Sequence, residues 1–330
     1  MHEVEPRPIF IFGCPRSGTS VLTRMLDTHP DIAIPYESHL YNRVYPVVRR
    51  HCPDLSHPRT RARLVRELLR ADPLTLWTPR PSAADTVAAI TRDDFHGIVE
   101  GLMRAWTRNQ GKSRWGEKTP QHTLCWRAIR EGFPDLQVIN LIRDGRDVAL
   151  SHKAARFGPK HAYHLAGRWV QYLSAAEEAE SALGVGAFLS VRYEDLVAEP
   201  ETELRRICVF LKEDYSPAML AFHRGDTAYP TDQRNMDNLR RPLLAGNTEK
   251  WRRQMTARDL RIFEALAGGQ LDRYGYPRAM REPRLAAWEA LSCRYIEHPP
   301  RRALAMLTNR QGYRFALQRF RLNTRIRFGL

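Results

Sequence analysis

The sequence predicts a doubly wound α/β fold, in which helices flank both faces of a mostly parallel sheet. The first observation is an apolar run at residues 8–13 that ends in glycine and is followed by a helical pattern at residues 20–26. The second is that further short apolar segments alternate with helical ones, as in parallel sheets whose strands are joined by helices. The third is the length of 330 residues, which is enough to bury a large core without disulfides.

Each element is predicted from its own periodicity. Short apolar runs predict strands at residues 8–13, 31–35, 113–116, 136–142 and 187–193. Apolar residues spaced three and four apart predict helices at residues 20–26, 121–131, 147–157, 163–183 and 201–211. Ligands of such sheets bind beyond the carboxyl ends of the strands, so we look for a site in the loops that follow them.

Two helical regions fall outside this alternation. Residues 59–109 predict a helical insertion, interrupted by a proline-rich loop at residues 78–82. Residues 278–330 predict a basic helical extension, which divides the chain into a catalytic domain at 1–277 and an extension at 278–330. The insertion is a candidate cap over the site, where it would set substrate specificity.

The charge of the chain predicts an anionic partner. Lys and Arg number 52 against 37 Asp and Glu, a net charge of +15, and 43% of the residues are hydrophobic, which excludes a disordered chain. Twelve Arg and three Glu place +9 of this charge in residues 278–330. This balance favours nucleic acid, an anionic lipid surface, a polyphosphorylated cofactor or an acidic substrate as the partner.

Apolar runs and cysteines indicate the compartment. The apolar runs are far shorter than the roughly 18 residues that cross a bilayer. The N-terminus lacks the basic start of a signal peptide. Five cysteines without a C-x-x-C pair argue against a disulfide framework and a zinc site. We expect a soluble cytoplasmic protein. Near the C-terminus, Tyr313, Leu317 and Phe320 form a helical stripe flanked by arginines, which suits either a helix on the anionic inner membrane surface or one packed on the catalytic domain.

The loop after the first strand is a candidate phosphate-binding site. Its residues 13–20, GCPRSGTS, join a strand to a helix, so backbone N–H groups and the helix N-terminus can surround an anion. They nearly match the P-loop pattern G-x-x-x-x-G-K-[ST], but Thr19 stands where the lysine belongs. That replacement argues against a triphosphate, while Arg16 supplies a cation for a shorter anion.

Four motifs resemble those of sulfotransferases that use 3′-phosphoadenosine-5′-phosphosulfate (PAPS). Residues 14–22, CPRSGTSVL, look like the family's 5′-phosphosulfate loop, and residues 141–151, LIRDGRDVALS, look like its 3′-phosphate motif. Residues 115–120, WGEKTP, and 191–196, VRYEDL, are similar to two further elements of the family. All four lie in the family's order and spacing, within about residues 9–211.

The resemblance implies that the chain takes the sulfonate group of PAPS, transfers it to an acceptor hydroxyl and releases PAP, with no metal expected. The cofactor-binding residues it implies are Pro15, Arg16, Ser17, Gly18, Thr19, Ser20, Arg143, Ser151, Arg192, Tyr193 and Lys250. The family's late G-x-x-G-x-x-K segment is only partly present at residues 245–251, AGNTEKW. Lys250 is therefore weighed against a solvated surface lysine, with Arg240 and Arg241 as alternatives.

Sulfonate transfer needs a base for the acceptor hydroxyl and cations for the departing oxygen. Arg16 and Lys118 are the candidate cations. In the family branch of tyrosylprotein enzymes a glutamate after the second strand is the base, and Glu37 stands at that place here. His122 and His39 remain alternative bases.

The acceptor cannot be read from the sequence, and a carbohydrate, lipid, peptide tyrosine or small metabolite all present a hydroxyl. Two other functions each fit part of the sequence. A P-loop kinase of small molecules or nucleotides is disfavoured by Thr19, and a non-enzymatic binder of membranes or nucleic acid leaves the four motifs unexplained. We therefore expect no nucleic-acid partner.

Overall fold

A computed structural model describes residues 6–51, 53–155, 160–224, 239–243, 246–300 and 310–328. Its strands are β1 Ile9–Gly13, β2 Ile32–Ala33, β3 Arg114–Glu117, β4 Gln137–Ile142 and β5 Phe188–Arg192. They form one sheet in the order β2-β3-β1-β4-β5, and each neighbouring pair is parallel. β2 and β3 lie on one side of the central β1, and β4 and β5 lie on the other. Such a change of direction in the strand order opens a crevice beyond the carboxyl ends of the strands.

Helices follow the strands as the periodicity predicts. The α-helices of the described residues are α1 Thr19–Asp27, α2 Tyr45–His51, α3 Pro58–Arg70, α4 Ala83–Ala88, α5 Phe95–Asn109, α6 Trp126–Gly132, α7 Gly145–Ala154, α8 Ala162–Leu183, α9 Tyr193–Ala198, α10 Pro200–Leu211, α11 Trp251–Gln254, α12 Ala257–Arg273, α13 Ala287–Leu291 and α14 Arg310–Phe328. Shorter 3₁₀ or π turns lie at Leu40–Val44, Leu74–Leu76, Pro120–Cys125, Pro217–Ala221 and Ser292–Glu297.

Both faces of the sheet are covered, which explains the uninterrupted apolar sequence of β1. Phe10 and Phe12 point to one face and pack in a core with α3, α5 and α6. Ile9 and Ile11 point to the other face, against α1 and α10. Successive residues of a strand alternate between faces, so a strand buried on both sides must be apolar throughout. The predicted doubly wound parallel fold is confirmed.

Two helices differ from their predicted bounds for local reasons. The helix predicted at residues 121–131 is a 3₁₀ turn, Pro120–Cys125, followed by α6. The helix predicted from residue 147 begins at Gly145, because the Asp144 carboxylate accepts the backbone N–H of Arg146 at 2.9 Å and caps it. Its predicted end at residue 157 lies outside the described residues.

The C-terminal helix α14 packs on α2 and α3 through a face other than the predicted stripe. Leu322 and Ile326 are buried in the same core as α3, and Arg325 pairs with Glu67 of that helix. Leu317 and Phe320 of the stripe are 51% and 68% exposed, and the side chain of residue 313 lies outside the described part. Membrane contact by this stripe stays a prediction. Among the described helices none is both long and apolar enough to cross a membrane.

Candidate active site at the phosphate-binding loop

A cavity of about 350 Å³ opens beyond the carboxyl ends of β1 and β4. The predicted site residues that line it are Pro15, Arg16, Gly18, Thr19, Ser20, Glu37, Arg143, Ser151, Tyr193 and Lys250. Others line it that the sequence did not single out, among them Gln121, Asp147, Phe222, Leu239, Asn247 and Gln254. The described residues of the helical insertion, 59–109, are absent from this lining.

The loop between β1 and α1 has the backbone of an anion-binding turn. Arg16 and Gly18 adopt positive φ angles of 79° and 96°, and the Ser17 N–H donates to the carbonyl of Cys14 at 3.0 Å. Thr19 then begins α1, so the N-terminus of that helix lies at the cavity wall. This arrangement suits a phosphate or sulfate group.

Gly18 is required by its neighbour as well as by its backbone. A Cβ atom at this position would lie 2.5 Å from two ring carbons of Tyr193, which is 3% exposed. No real Cβ atom tolerates that approach, so the ring or the loop would have to move.

We expect Gly18→Ala to lower the free energy of unfolding by about 2–4 kcal/mol, since overpacking and an unfavourable φ each cost about 1–3 kcal/mol. Urea denaturation measures this loss. The matched control is Gly167→Ala in α8, where a Cβ meets nothing within 4 Å. That change should stabilise the protein by up to about 1 kcal/mol. Equal stabilities of Gly18→Ala and wild type would contradict the close approach.

Arg143 joins three segments at one side of the cavity. Its guanidinium donates to the carbonyls of Asn247 at 2.5 Å and Arg16 at 3.3 Å, and its Cζ atom lies 4.4 Å from the centre of the Tyr193 ring. Its buried Nε has no hydrogen-bond acceptor among the described residues. Ser151, eight residues later, accepts the Nε–H of Arg16 at 3.0 Å. The strand-end arginine and the helix hydroxyl thus reach the same cavity, with Arg16 between them.

Asn247 is a site residue that sequence reasoning missed. Its side-chain amide donates to the Tyr193 hydroxyl at 2.7 Å, and its carbonyl accepts Arg143. No sequence pattern distinguishes this asparagine from its neighbours, because its role comes from where the chain returns to the cavity. Nearby Lys250 also lines the cavity, whereas Arg240 and Arg241 are exposed and do not.

Glu37 lines the same cavity and pairs with Lys118, which does not line it. Lys118 follows β3 directly, and its Nζ donates to the Glu37 carboxylate at 2.6 Å and to the Ser20 hydroxyl at 3.1 Å. The Lys118 side chain is fully buried, while that of Glu37 is 19% exposed toward the cavity. Burial would raise the pKa of Glu37, but the Lys118 ammonium and the His39 ring outweigh it and hold that pKa well below its ordinary value.

His122 lies outside the cavity, and both of its ring nitrogens are engaged. Nδ1 lies 2.7 Å from the Glu117 carboxylate, and Nε2 accepts the backbone N–H of Tyr41 at 3.1 Å. The same carboxylate accepts the hydroxyls of Ser38 at 2.8 Å and Thr119 at 2.7 Å. This buried network holds Glu117 and Thr119 on either side of Lys118 and Ser38 directly after Glu37.

Two residues predicted to bind cofactor also lie outside the cavity. Ser17 is 1% exposed, and its hydroxyl has no hydrogen-bond partner among the described residues. The guanidinium of Arg192 lies on the Tyr276 ring, 4.8 Å from its centre. At the end of β5, the Tyr193 side chain therefore lines the cavity and the Arg192 side chain does not.

His152 of α7 is buried behind the phosphate loop, near Arg16. Burial, and then the positive charges of Arg168 and Arg16, lower the pKa of this imidazole to about 3, against an ordinary 6.5. Between pH 6.5 and 3 the unfolded chain therefore binds more protons than the folded one. Stability must fall as the pH is lowered through this range.

We expect His152 to contribute a slope of up to about 1.4 kcal/mol per pH unit to the free energy of unfolding between pH 6 and 4. Urea denaturation across this range should give a flatter profile for His152→Gln than for wild type. His51→Gln, which replaces an exposed histidine of α2, should leave the slope unchanged. Parallel profiles for His152→Gln and wild type would show that His152 is not buried in its neutral form.

Comparison with known proteins agrees with the motifs. Residues 8–217 match the model of the sulfotransferase family. A putative protein-tyrosine sulfotransferase of Caenorhabditis briggsae is 26% identical over 222 residues, covering 65% of this chain and 69% of that protein. The protein-tyrosine sulfotransferase of Drosophila melanogaster is 24% identical over 255 residues, covering 74% and 46%. An uncharacterised protein of Aquifex aeolicus is 25% identical over 260 residues, covering 75% of this chain and 30% of that protein. The chain thus spans less than half the length of the Drosophila and Aquifex proteins.

Solved structures show the same architecture. The sulfotransferase domain of the Synechococcus PCC 7002 olefin synthase is 25% identical, has a TM-score of 0.56, and covers 81% of this chain and 97% of that domain. The sulfotransferase domain of the curacin biosynthetic pathway, 19% identical with a TM-score of 0.54, covers 83% and 99% and shows a likeness of fold. The resemblance predicted from the four motifs is confirmed, and the chain belongs to the sulfotransferase family.

Proposed function

We propose that this protein transfers the sulfonate group of PAPS to an acceptor hydroxyl and releases PAP. The observation that carries the proposal is one cavity lined by the phosphate loop, by Arg143 with Ser151, and by Glu37, which pairs with the buried Lys118. Relatives named protein-tyrosine sulfotransferases make a phenolic hydroxyl the first acceptor to test.

The cations of the cavity are available for the phosphates of a nucleotide. Arg16, Arg143 and Lys250 form no ion pair with a carboxylate within the described part of the chain. Arginine binds phosphate oxygens through parallel N–H groups, and such charge-assisted bonds are stronger than neutral ones. We assign the 5′-phosphosulfate to the loop at residues 14–20 and the 3′-phosphate to Arg143 and Ser151, with Lys250 at the same edge.

Glu37 and Lys118 supply the chemistry as a coupled pair. In-line transfer needs a base on the acceptor hydroxyl and a positive charge at the bridging oxygen that departs with PAP. While Lys118 donates to Glu37, the pKa of that carboxylate is low and it is a weak base. When Lys118 turns to the developing charge on the leaving oxygen, Glu37 loses the largest of the influences that lower its pKa, and its basicity rises as the acceptor proton must leave.

Thermal denaturation with nucleotides tests the proposal. A ligand that binds only the folded protein raises its melting temperature by mass action. We expect PAP at a given concentration to raise that temperature more than AMP, ADP or ATP do, because only PAP carries the 3′-phosphate. A larger shift with ATP than with PAP would favour a kinase and overturn the proposal.

A further inference from the structure

A short helical segment near the start of the C-terminal extension exposes its large apolar side chains. In this segment, α13 runs directly into the π turn Ser292–Glu297. Trp288, Leu291, Tyr295 and Ile296 are 72%, 58%, 61% and 70% exposed. We call these four residues the exposed ridge. Single exposed apolar side chains are common on proteins, but several large ones together on one short segment mark a surface that binds a partner.

The opposite side of the same segment is polar and docks on the rest of the protein. Glu289, Cys293 and Glu297 are spaced four apart, and Cys293 is buried in a small core with residues of α8 and α12. Arg258 donates to the Glu297 carboxylate at 2.7 Å, and Arg261 donates to the Glu289 carboxylate. An ordinary surface helix buries its apolar side and exposes its charges, whereas this segment does the reverse. The fold thus anchors the segment by polar contacts and leaves its apolar side exposed.

The exposed ridge belongs to the most basic part of the chain, since residues 278–330 carry a net charge of +9. Arg294 lies within the segment and Arg281 and Arg284 precede it, and all three are exposed. Two of the three glutamates of this extension are the inward ones, and the third, Glu282, lies 3.7 Å from Arg284. Two copies of the chain that met through this ridge would bring two positive surfaces together, whereas an anionic surface would be attracted to it. The charge therefore favours an anionic partner over a second copy.

We infer that the exposed ridge binds an anionic lipid surface, so that residues 288–296 attach this protein to the face of a membrane. Tryptophan and tyrosine are enriched at the boundary between water and lipid, where their rings are buried and their polar atoms reach the headgroups. Leu291 and Ile296 add apolar area, and arginines beside them reach anionic headgroups through their long side chains. This ridge is distinct from the stripe of Tyr313, Leu317 and Phe320. The inference goes beyond the proposed function, because attachment needs neither nucleotide nor acceptor.

The test mixes the full chain with vesicles of equal parts phosphatidylglycerol and phosphatidylcholine and sediments them. We expect the protein to sediment with these vesicles at low ionic strength. Binding to vesicles of phosphatidylcholine alone should be at least about ten-fold weaker, because basic residues are attracted only to the anionic surface. Added salt should weaken binding to the mixed vesicles in the same direction. A protein that stays in the supernatant with the mixed vesicles at low ionic strength would overturn the inference.

Variants of the ridge separate this surface from the rest of the molecule. Trp288→Ser combined with Leu291→Ser should lower binding to the mixed vesicles at least about ten-fold, since burial of each apolar side chain contributes about that factor. Both side chains are exposed, so the melting temperature should stay within about 2 °C of wild type. The matched control, Val185→Ser combined with Val209→Ser, removes two apolar side chains that are also exposed and should keep binding. Equal binding by the ridge variant and this control would overturn the inference.

Tryptophan fluorescence gives a second readout. All seven tryptophans lie in the described residues, and six of them are at most 6% exposed, so Trp288 is the one that lipid can reach. Mixed vesicles whose phosphatidylcholine carries brominated acyl chains should quench part of the wild-type emission and leave that of Trp288→Phe unchanged. Sedimentation without quenching would place another surface against the lipid and overturn the inference. A dimer in sedimentation velocity that the ridge variant loses would make the ridge a contact between copies and overturn it as well.

Discussion

Glu37→Gln is expected to lower the turnover of sulfonate transfer by about a hundred-fold or more, because a positioned general base contributes a factor of about 10²–10⁴. The amide keeps the shape of the side chain and can still accept the Lys118 ammonium, which now lies 2.6 Å away. Affinity for PAP should therefore stay within a few-fold of wild type. Radiolabelled PAPS with a phenolic acceptor measures turnover, and calorimetry with PAP measures binding.

The rival base is tested in the same assay. His39 lies 3.4 Å from the Glu37 carboxylate and does not line the cavity that Glu37 lines, so His39→Gln should lower turnover much less than Glu37→Gln. Turnover near wild type in Glu37→Gln, together with a loss of about a hundred-fold in His39→Gln, would show that His39 rather than Glu37 is the base. Circular dichroism must show that both variants fold, because Glu37 is the partner of the fully buried Lys118.

Most of the fold could be predicted from strand and helix periodicity, because a doubly wound sheet requires uniformly apolar strands and amphipathic helices. The order β2-β3-β1-β4-β5 does not follow from these patterns, since it depends on which side of β1 each crossover takes. The sequence pattern also does not show which face of α14 packs on the rest of the protein. Leu317 with Phe320 and Leu322 with Ile326 are both apolar pairs at helical spacing, and only the second pair is buried in the core with α2 and α3.

Part of the site could likewise be predicted from the sequence, and part could not. The phosphate loop, Arg143 and Ser151 were predicted because each stands at a strand end or in the helix that follows, where topology brings such residues together. Asn247 was missed because it enters from a distant loop. Arg192 and Tyr193 are adjacent in sequence, yet only the tyrosine lines the cavity, since the change from strand to helix at this point turns the two side chains apart.

Arg143→Ala is expected to weaken PAP binding by about 10- to 100-fold, the factor that corresponds to about 1.5–3 kcal/mol for a hydrogen bond to a charged group. Affinity for AMP should change little, because AMP lacks the 3′-phosphate that we assign to Arg143. Calorimetry with both nucleotides separates this loss from a general collapse of the loop, which would weaken both. Arg192→Ala is the matched control, since its guanidinium lies on the Tyr276 ring outside the cavity, and PAP affinity should stay within a few-fold. If wild type binds PAP and AMP equally well, Arg143 does not contact a 3′-phosphate, and the assignment of that edge of the cavity is wrong.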